Sequence, residues 1–231
     1  MHVPDGFLDA PTSIATAGVA VAGVALALRG ARRELDDRTA PMAGLVATFV
    51  FAGQMINFPV GAGTSGHLMG GALAAVLVGP WTGILCLSVV LAVQALLMAD
   101  GGITALGTNI TLLGLVAVVV GWGVFVALRA VLPKRPSMVA PAAAVAALLS
   151  VPASALVFTG LFAVGGIAPV DLGTMLTAML GWHLAIGVGE AVISGLVVAA
   201  VVAARPDLVY GARPLLEKRE LEIRSARGVR A

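Results

Sequence analysis

The sequence predicts an all-α membrane protein that crosses the bilayer seven times, and three observations support this. The chain is 59% hydrophobic and 11% charged, with a mean hydropathy of +1.03, which lies outside the range of soluble domains. Its 231 residues divide into seven runs of low charge, and a span of ~20 residues is what a bilayer needs. All 14 Lys and Arg fall in three places: 29–38, 129–135 and the stretch after 204.

The boundaries of each run follow from local chemistry. The first span, near 11–29, closes at Arg29. The second, near 41–57, runs out at Asn57-Phe58-Pro59-Val60-Gly61. The third, 67–79, is short and begins at His67, so part of that depth is expected to be irregular backbone covered by protein. Gly79-Pro80 breaks it from the fourth, 81–98, which ends at Asp100-Gly101-Gly102. The fifth, 104–131, reaches Arg129, Lys134 and Arg135; the sixth is 138–164, and the seventh, 173–204, stops at Arg205. The 29 glycines and many alanines permit close helix packing.

With seven spans, the basic segments all fall on one side, whose remaining connection is the tight Gly79-Pro80 turn. The opposite side, 1–10, 58–66, 99–103 and 165–172, holds no Lys or Arg. The positive-inside rule then puts the N-terminus outside and the C-terminus in the cytoplasm of a multi-pass cell-membrane protein. The first basic residue is Arg29, behind the first apolar run, so no cleaved signal is expected and Met1 reads as the mature terminus. Residues 1–204 form the membrane domain, with 1–10 as its N-terminal segment, and 205–231 form a charged cytoplasmic tail.

A chain that opens Met1-His2 offers three nitrogens in a row: the terminal amine, the His2 amide and the His2 imidazole. On one metal ion they close two fused chelate rings and fill three corners of a square plane, the geometry of Cu(II) or Ni(II) rather than zinc. A fourth donor has to come from elsewhere, and the remaining histidines are His67 and His183. His67 follows the Gly-rich Gly61-Ala62-Gly63-Thr64-Ser65-Gly66, which lets backbone approach a ligand closely, and it falls on the same outer side as Met1.

Metal-bound imidazoles usually give their other N–H to a carboxylate, carbonyl or water. Asp5, Asn57, Thr64, Ser65, Gln94, Asp100 and Asn109 lie on the outer side as candidates for that supporting layer. His183 and Glu190 are one heptad apart in the last span and face roughly the same way, a possible intramembrane polar pair for function or for packing. Gly23, Ala27 and Ala31 repeat every four residues, a flat stripe suited to docking a partner helix or to packing within the chain. Cys86, the single cysteine, sits in an apolar run and reads as a packed thiol.

The opening Met1-His2-Val3-Pro4-Asp5-Gly6-Phe7-Leu8 resembles that of the cobalt/nickel substrate-binding components of energy-coupling-factor transporters, the CbiM/NikM family. The resemblance continues through Asn57-Phe58-Pro59-Val60, Gly63-Thr64-Ser65-Gly66-His67-Leu68-Met69-Gly70-Gly71 and Gly79-Pro80-Trp81. It extends over Gln94-Ala95-Leu96-Leu97, Asp100-Gly101-Gly102, Leu106-Gly107-Thr108-Asn109 and the segment from His183 to Ala191. It implies seven helices and Ni(II) or Co(II) as transported substrate, with no organic cofactor. The implied coordination is near-planar, by the Met1 amine, the His2 amide and imidazole, and His67. It also implies as partners a membrane coupling component, two ATP-binding-cassette ATPases and often a small auxiliary membrane subunit. No nucleic-acid partner is expected.

Two other function classes fit less well. A membrane metalloenzyme needs an open coordination position and a general base, and the chain has no His-Glu-x-x-His motif and no paired carboxylates within a span. A proton-coupled divalent-metal permease calls for a series of membrane carboxylates, of which Glu190 is the one convincing example. The chain also lacks the Gly-x-x-x-x-Gly-Lys-Ser/Thr phosphate loop, so it is not expected to hydrolyse ATP itself.

Overall fold

The computed structural model describes residues 2–36, 39–61 and 64–216, the side chains of 58–61 and 64 apart. Helix α1 (Ala10–Ala31) starts behind Asp9, whose carboxylate accepts the Thr12 N–H at 2.9 Å. Then come α2 (Ala40–Met55), α3 (Gly71–Val78) and α4 (Pro80–Leu97). Helix α5 (Leu106–Val131) contains a π-helical stretch, Ile110–Val116. Helices α6 (Val139–Gly165) and α7 (Leu172–Ala204) complete the bundle. Each follows its predicted run to within a few residues.

Five stretches, α1, α4, α5, Pro136–Gly165 and α7, are long and apolar enough to cross a membrane, while α2 is shorter. Helix α3 has eight residues, all of them buried. The approach to it is the irregular backbone expected at this depth, residues 67–70, preceded by an antiparallel hairpin of β1 (Phe58–Gly61) and β2 (Thr64–Gly66). The hairpin is the exception to the all-α expectation. Gly79 caps α3 and starts α4 at φ +97°, a conformation that suits glycine.

Small residues set how closely the helices approach. A Cβ on Gly71 would lie 2.7 Å from the Ala117 side chain, and one on Gly121 would lie 2.8 Å from the Ala72 backbone, so α3 and α5 cross almost in backbone contact. The Gly23, Ala27, Ala31 stripe does the same inside the chain. Ala27 is fully buried with Ala75, Ile84 and Val118, Ala31 is buried, and a Cβ on Gly23 would collide with Leu115. Of the two readings of the stripe, the burial of Ala27 and Ala31 favours packing within the chain, while Gly23 is half-buried.

The boundary at 204 also shifts. Residues 206–212 turn back in two short 3-10 helices, and Val209 and Ala212 are buried in the main core beside Phe125. The folded unit therefore continues past Arg205, and a separate tail can begin only beyond Leu216. The amphipathic stretch 217–223 lies outside the described residues.

Candidate metal centre

The N-terminal segment is threaded into the end of the bundle. Val3, Phe7 and Leu8 are buried in one cluster with Met69, Leu112, Phe158 and Met179. Its backbone is bonded along its length. The side-chain amide of Asn109 accepts the Val3 N–H at 2.8 Å and donates to the Val3 carbonyl at 3.1 Å, and the Gly102 N–H reaches the same carbonyl at 3.0 Å. Leu8 bridges to Gly166, and the Asp9 N–H donates to the Gly165 carbonyl at 2.7 Å. The loop after α4 closes tightly over this segment. A Cβ on Gly102 would lie 2.4 Å from the Asp5 backbone nitrogen, and Gly101 sits at φ +85° against His2 and Asn109.

This threading buries His2 against His67. Their rings stack with centroids 4.2 Å apart at 26°, and His2 is 4% exposed, His67 1%. His67 Nδ1 lies 2.7 Å from the Leu68 carbonyl; with that nitrogen donating, Nε2 carries the lone pair. The loop carrying His67 is held from below. Glu190 on α7 accepts the Met69 N–H at 2.8 Å and the Gly70 N–H at 2.9 Å, and Gln54 on α2 donates to the Met69 carbonyl at 2.9 Å.

On the other side, His2 Nδ1 is 3.0 Å from Asp100 Oδ1. Burial pushes the His2 pKa below its ordinary 6.5, with Asp100 opposing, so the ring is neutral and its lone pair is free near pH 7. Asp100 is held below the usual carboxylate range chiefly by His2. Gln94 is fully buried and approaches His2 without closing a well-formed hydrogen bond, and both its amide atoms lack partners.

The other expected supporting residues behave differently. Asp5 points away from both histidines. It accepts the N–H groups of Thr104 at 2.8 Å and Ile103 at 3.3 Å, and so anchors the turn into α5. Asn109 grips backbone instead of an imidazole. Asn57 reaches Asp100 at 3.4 Å and stands one layer further out. Ser65 pairs with Pro59 in the hairpin, and Met1 and the Thr64 side chain lie outside the described residues. His183 and Glu190 are both buried but bond to backbone and not to each other, His183 Nδ1 facing the Met179 carbonyl at 2.7 Å. They are therefore two separate anchors rather than a pair. Cys86 is buried, its thiol 3.4 Å from the Ala43 carbonyl.

Among the described residues, no three His, Cys, Asp or Glu side chains converge as a metal-ligand cluster.

A family model described as the cobalt uptake substrate-specific transmembrane region matches residues 2–208. The chain belongs to this family. It is 40% identical over 211 residues to a protein named as a metal transport protein in Haloquadratum walsbyi, with 91% of this chain and 94% of the relative covered. It is 34% identical over 237 residues to the fused nickel transport protein NikMN of Rhodobacter capsulatus, with 96% of this chain and 68% of the relative covered. A crystal structure of a truncated transition metal transporter superposes with a TM-score of 0.81 at 29% identity, covering 88% of this chain and 99% of that one. Like its relatives, this family member is a multi-pass membrane protein of metal transport.

Sequence reasoning missed the grip of Asn109 on Val3 and the Glu190 anchor under the His67 loop. The first had a visible signal, an asparagine just inside a helix facing a polar loop. The second joins residues 120 apart in sequence.

Proposed function

We propose that this chain is the substrate-capture subunit of an ATP-driven importer of Ni(II) or Co(II). The observation that carries this reading is the buried stack of His2 on His67, 4.2 Å apart, at the end of a segment fixed by backbone bonds. The metal is bound by four nitrogens: the Met1 amine, the deprotonated His2 amide, the His2 imidazole and the His67 imidazole. The names of the relatives, nickel and cobalt transport proteins, support the choice of ion.

Chelation by the His2 amide and its own imidazole closes a six-membered ring through Nδ1. That nitrogen lies 3.0 Å from Asp100 Oδ1. In the proposed site Nδ1 meets the metal, which leaves Nε2–H for a carboxylate such as Asp100. Asp100 then supports the bound imidazole as such carboxylates commonly do.

The chain passes the membrane seven times, with the site at the outer face and Arg205 inside. Helix α3 and the covered backbone before it serve as the third pass. Transport is driven by a coupling component with two ATPases, as the family resemblance implies, and the lack of a phosphate loop in this chain agrees with that. Glu190, the carboxylate that a proton-coupled permease would use, is committed to two backbone N–H groups, which favours the capture reading.

The test is metal content of purified His67→Ala protein. Loss of Ni(II) and Co(II) binding with the fold intact is expected. Unchanged stoichiometry would overturn the proposed ligand set.

A further inference from the structure

Helix α5 starts beside His2, and Arg129 lies about 30 Å further along it, at ~1.5 Å per residue, at the opposite end of the bundle. There a cavity of 730 Å³ is lined by Arg33 from the turn after α1, Arg129 and Lys134 around the end of α5, and Arg213 from the segment after α7. Its floor is aromatic: Trp122 stacks on Phe125 at 5.4 Å and meets Tyr210 at 5.6 Å, and the Arg213 guanidinium stands 5.1 Å over the Tyr210 ring. Val126, 47% exposed, forms part of its wall and opens it to the apolar flank of the bundle.

Four cations converge here, and among the described residues none has a carboxylate within 4.0 Å. Arg129 is only 8% exposed, and its guanidinium has a backbone carbonyl, that of Pro133 at 3.2 Å, as its partner. Lys134 bonds the Arg129 carbonyl, and Arg213 the Glu34 carbonyl at 3.1 Å. The described carboxylates at this end are engaged elsewhere. Glu34 caps α4 through the Trp81 and Thr82 N–H groups, Asp36 caps Thr39, and Asp207 pairs with Arg205. Of the four, Arg129 is buried, Arg213 is half-buried, and Arg33 and Lys134 are exposed at the rim; among the described residues Arg129 has no counter-ion, and an anion in the cavity would offset the cost of burying its charge.

We propose that this cavity binds the phosphate of an anionic phospholipid. Basic pockets between membrane helices suit such headgroups: the four cations take the phosphate, the aromatic floor takes the glycerol region, and the open Val126 side receives the acyl chains. A free phosphate would have no use for the apolar opening. The chain's own end is a poor occupant: 217–231 carries Lys218, Arg219, Arg224, Arg227 and Arg230 against Glu217, Glu220 and Glu222. The proposal needs the chain to lie in a membrane; only the identity of the leaflet rests on the orientation proposed above.

The experiment uses the full chain, delipidated in neutral detergent and titrated with phosphatidylglycerol, phosphatidylcholine or inorganic phosphate, with native mass spectrometry as readout. Saturable binding of phosphatidylglycerol is expected, without phosphatidylcholine binding and without displacement by millimolar inorganic phosphate. Arg33→Gln with Lys134→Gln should weaken binding about 30-fold, given the contribution of each cation near an anionic headgroup. Arg32→Gln with Arg135→Gln removes the same charge outside the cavity and should leave affinity unchanged. Arg33→Glu is a second variant; the Arg33 side chain bonds no described residue, so the fold should survive the reversal while binding is lost. Equal affinity in the cavity and control variants, equal uptake of the two lipids, or displacement by inorganic phosphate would overturn the proposal. Binding that emerges only after removal of 217–231 would assign the cavity to the chain's own end.

Discussion

Asn109 holds the backbone of Val3 by both its groups, accepting the N–H at 2.8 Å and donating to the carbonyl at 3.1 Å, as a neighbouring β-strand would. One buried side chain thus fixes the residue next to His2. Asn109→Ala removes both bonds and leaves the Val3 N–H buried without a partner, at a cost of about 1–3 kcal/mol. Amide exchange at Val3 should accelerate and metal affinity should fall while the helices stay protected. Unchanged exchange at Val3 would show that the segment is held by its apolar residues alone.

Asp5 secures the same segment to the start of α5, and its pKa is lowered from 3.8, chiefly by the Thr104 hydrogen bond. A carboxylate whose folded pKa is depressed stabilises above its unfolded pKa and loses that contribution as pH falls through the lower folded value. The anchor is therefore constant from pH 7 to pH 5. Any loss of metal over that interval should come from protonation of the nitrogen ligands. Asp5→Asn should weaken binding by a similar factor at both pH values. A factor that disappears at pH 5 would contradict this division.

Glu190 receives two backbone N–H groups with its two oxygens. In Glu190→Gln one oxygen becomes an NH2 group that faces a donor. Destabilisation of about 1–3 kcal/mol is expected from the buried donor left unpaired, seen as a lower Tm, together with weaker metal binding as the His67 loop loosens. A variant with native Tm and metal affinity would remove the anchoring role.

Ala27 is fully buried where α1 meets Ala75, Ile84 and Val118. Ala27→Leu should destabilise the isolated chain by about 1–3 kcal/mol through overpacking. Wild-type Tm combined with failure to co-purify with a coupling subunit would restore the docking role that the burial disfavours.

The helical runs were legible because hydropathy is a strong signal in a membrane chain, and five of them are long and apolar enough to cross a membrane. That His2 would meet His67 and Asp100 was legible from the expected topology, which put 1–10, 58–66 and 99–103 on one side. What the supporting residues touch was not legible. Asp5, Asn109 and Glu190 all bond to backbone, and no periodicity encodes which N–H group a distant carboxylate will meet. The small-residue stripe on α1 was ambiguous for a similar reason: Gly and Ala at every fourth position mark close contact without saying with what. The packing of Val209 and Ala212 was hidden because a short apolar stretch among charges looks like tail.

The most direct test of metal capture through the terminus compares metal content in two forms of the purified, folded chain. One carries a short extension before Met1, and the other carries the same extension after Ala231. The extension before Met1 turns the proposed amine donor into an amide and moves the real amine out of register, so that form should hold no Ni(II) or Co(II), while the other loads fully. Equal loading of the two forms would exclude the terminal amine as a ligand and, with it, the planar four-nitrogen site.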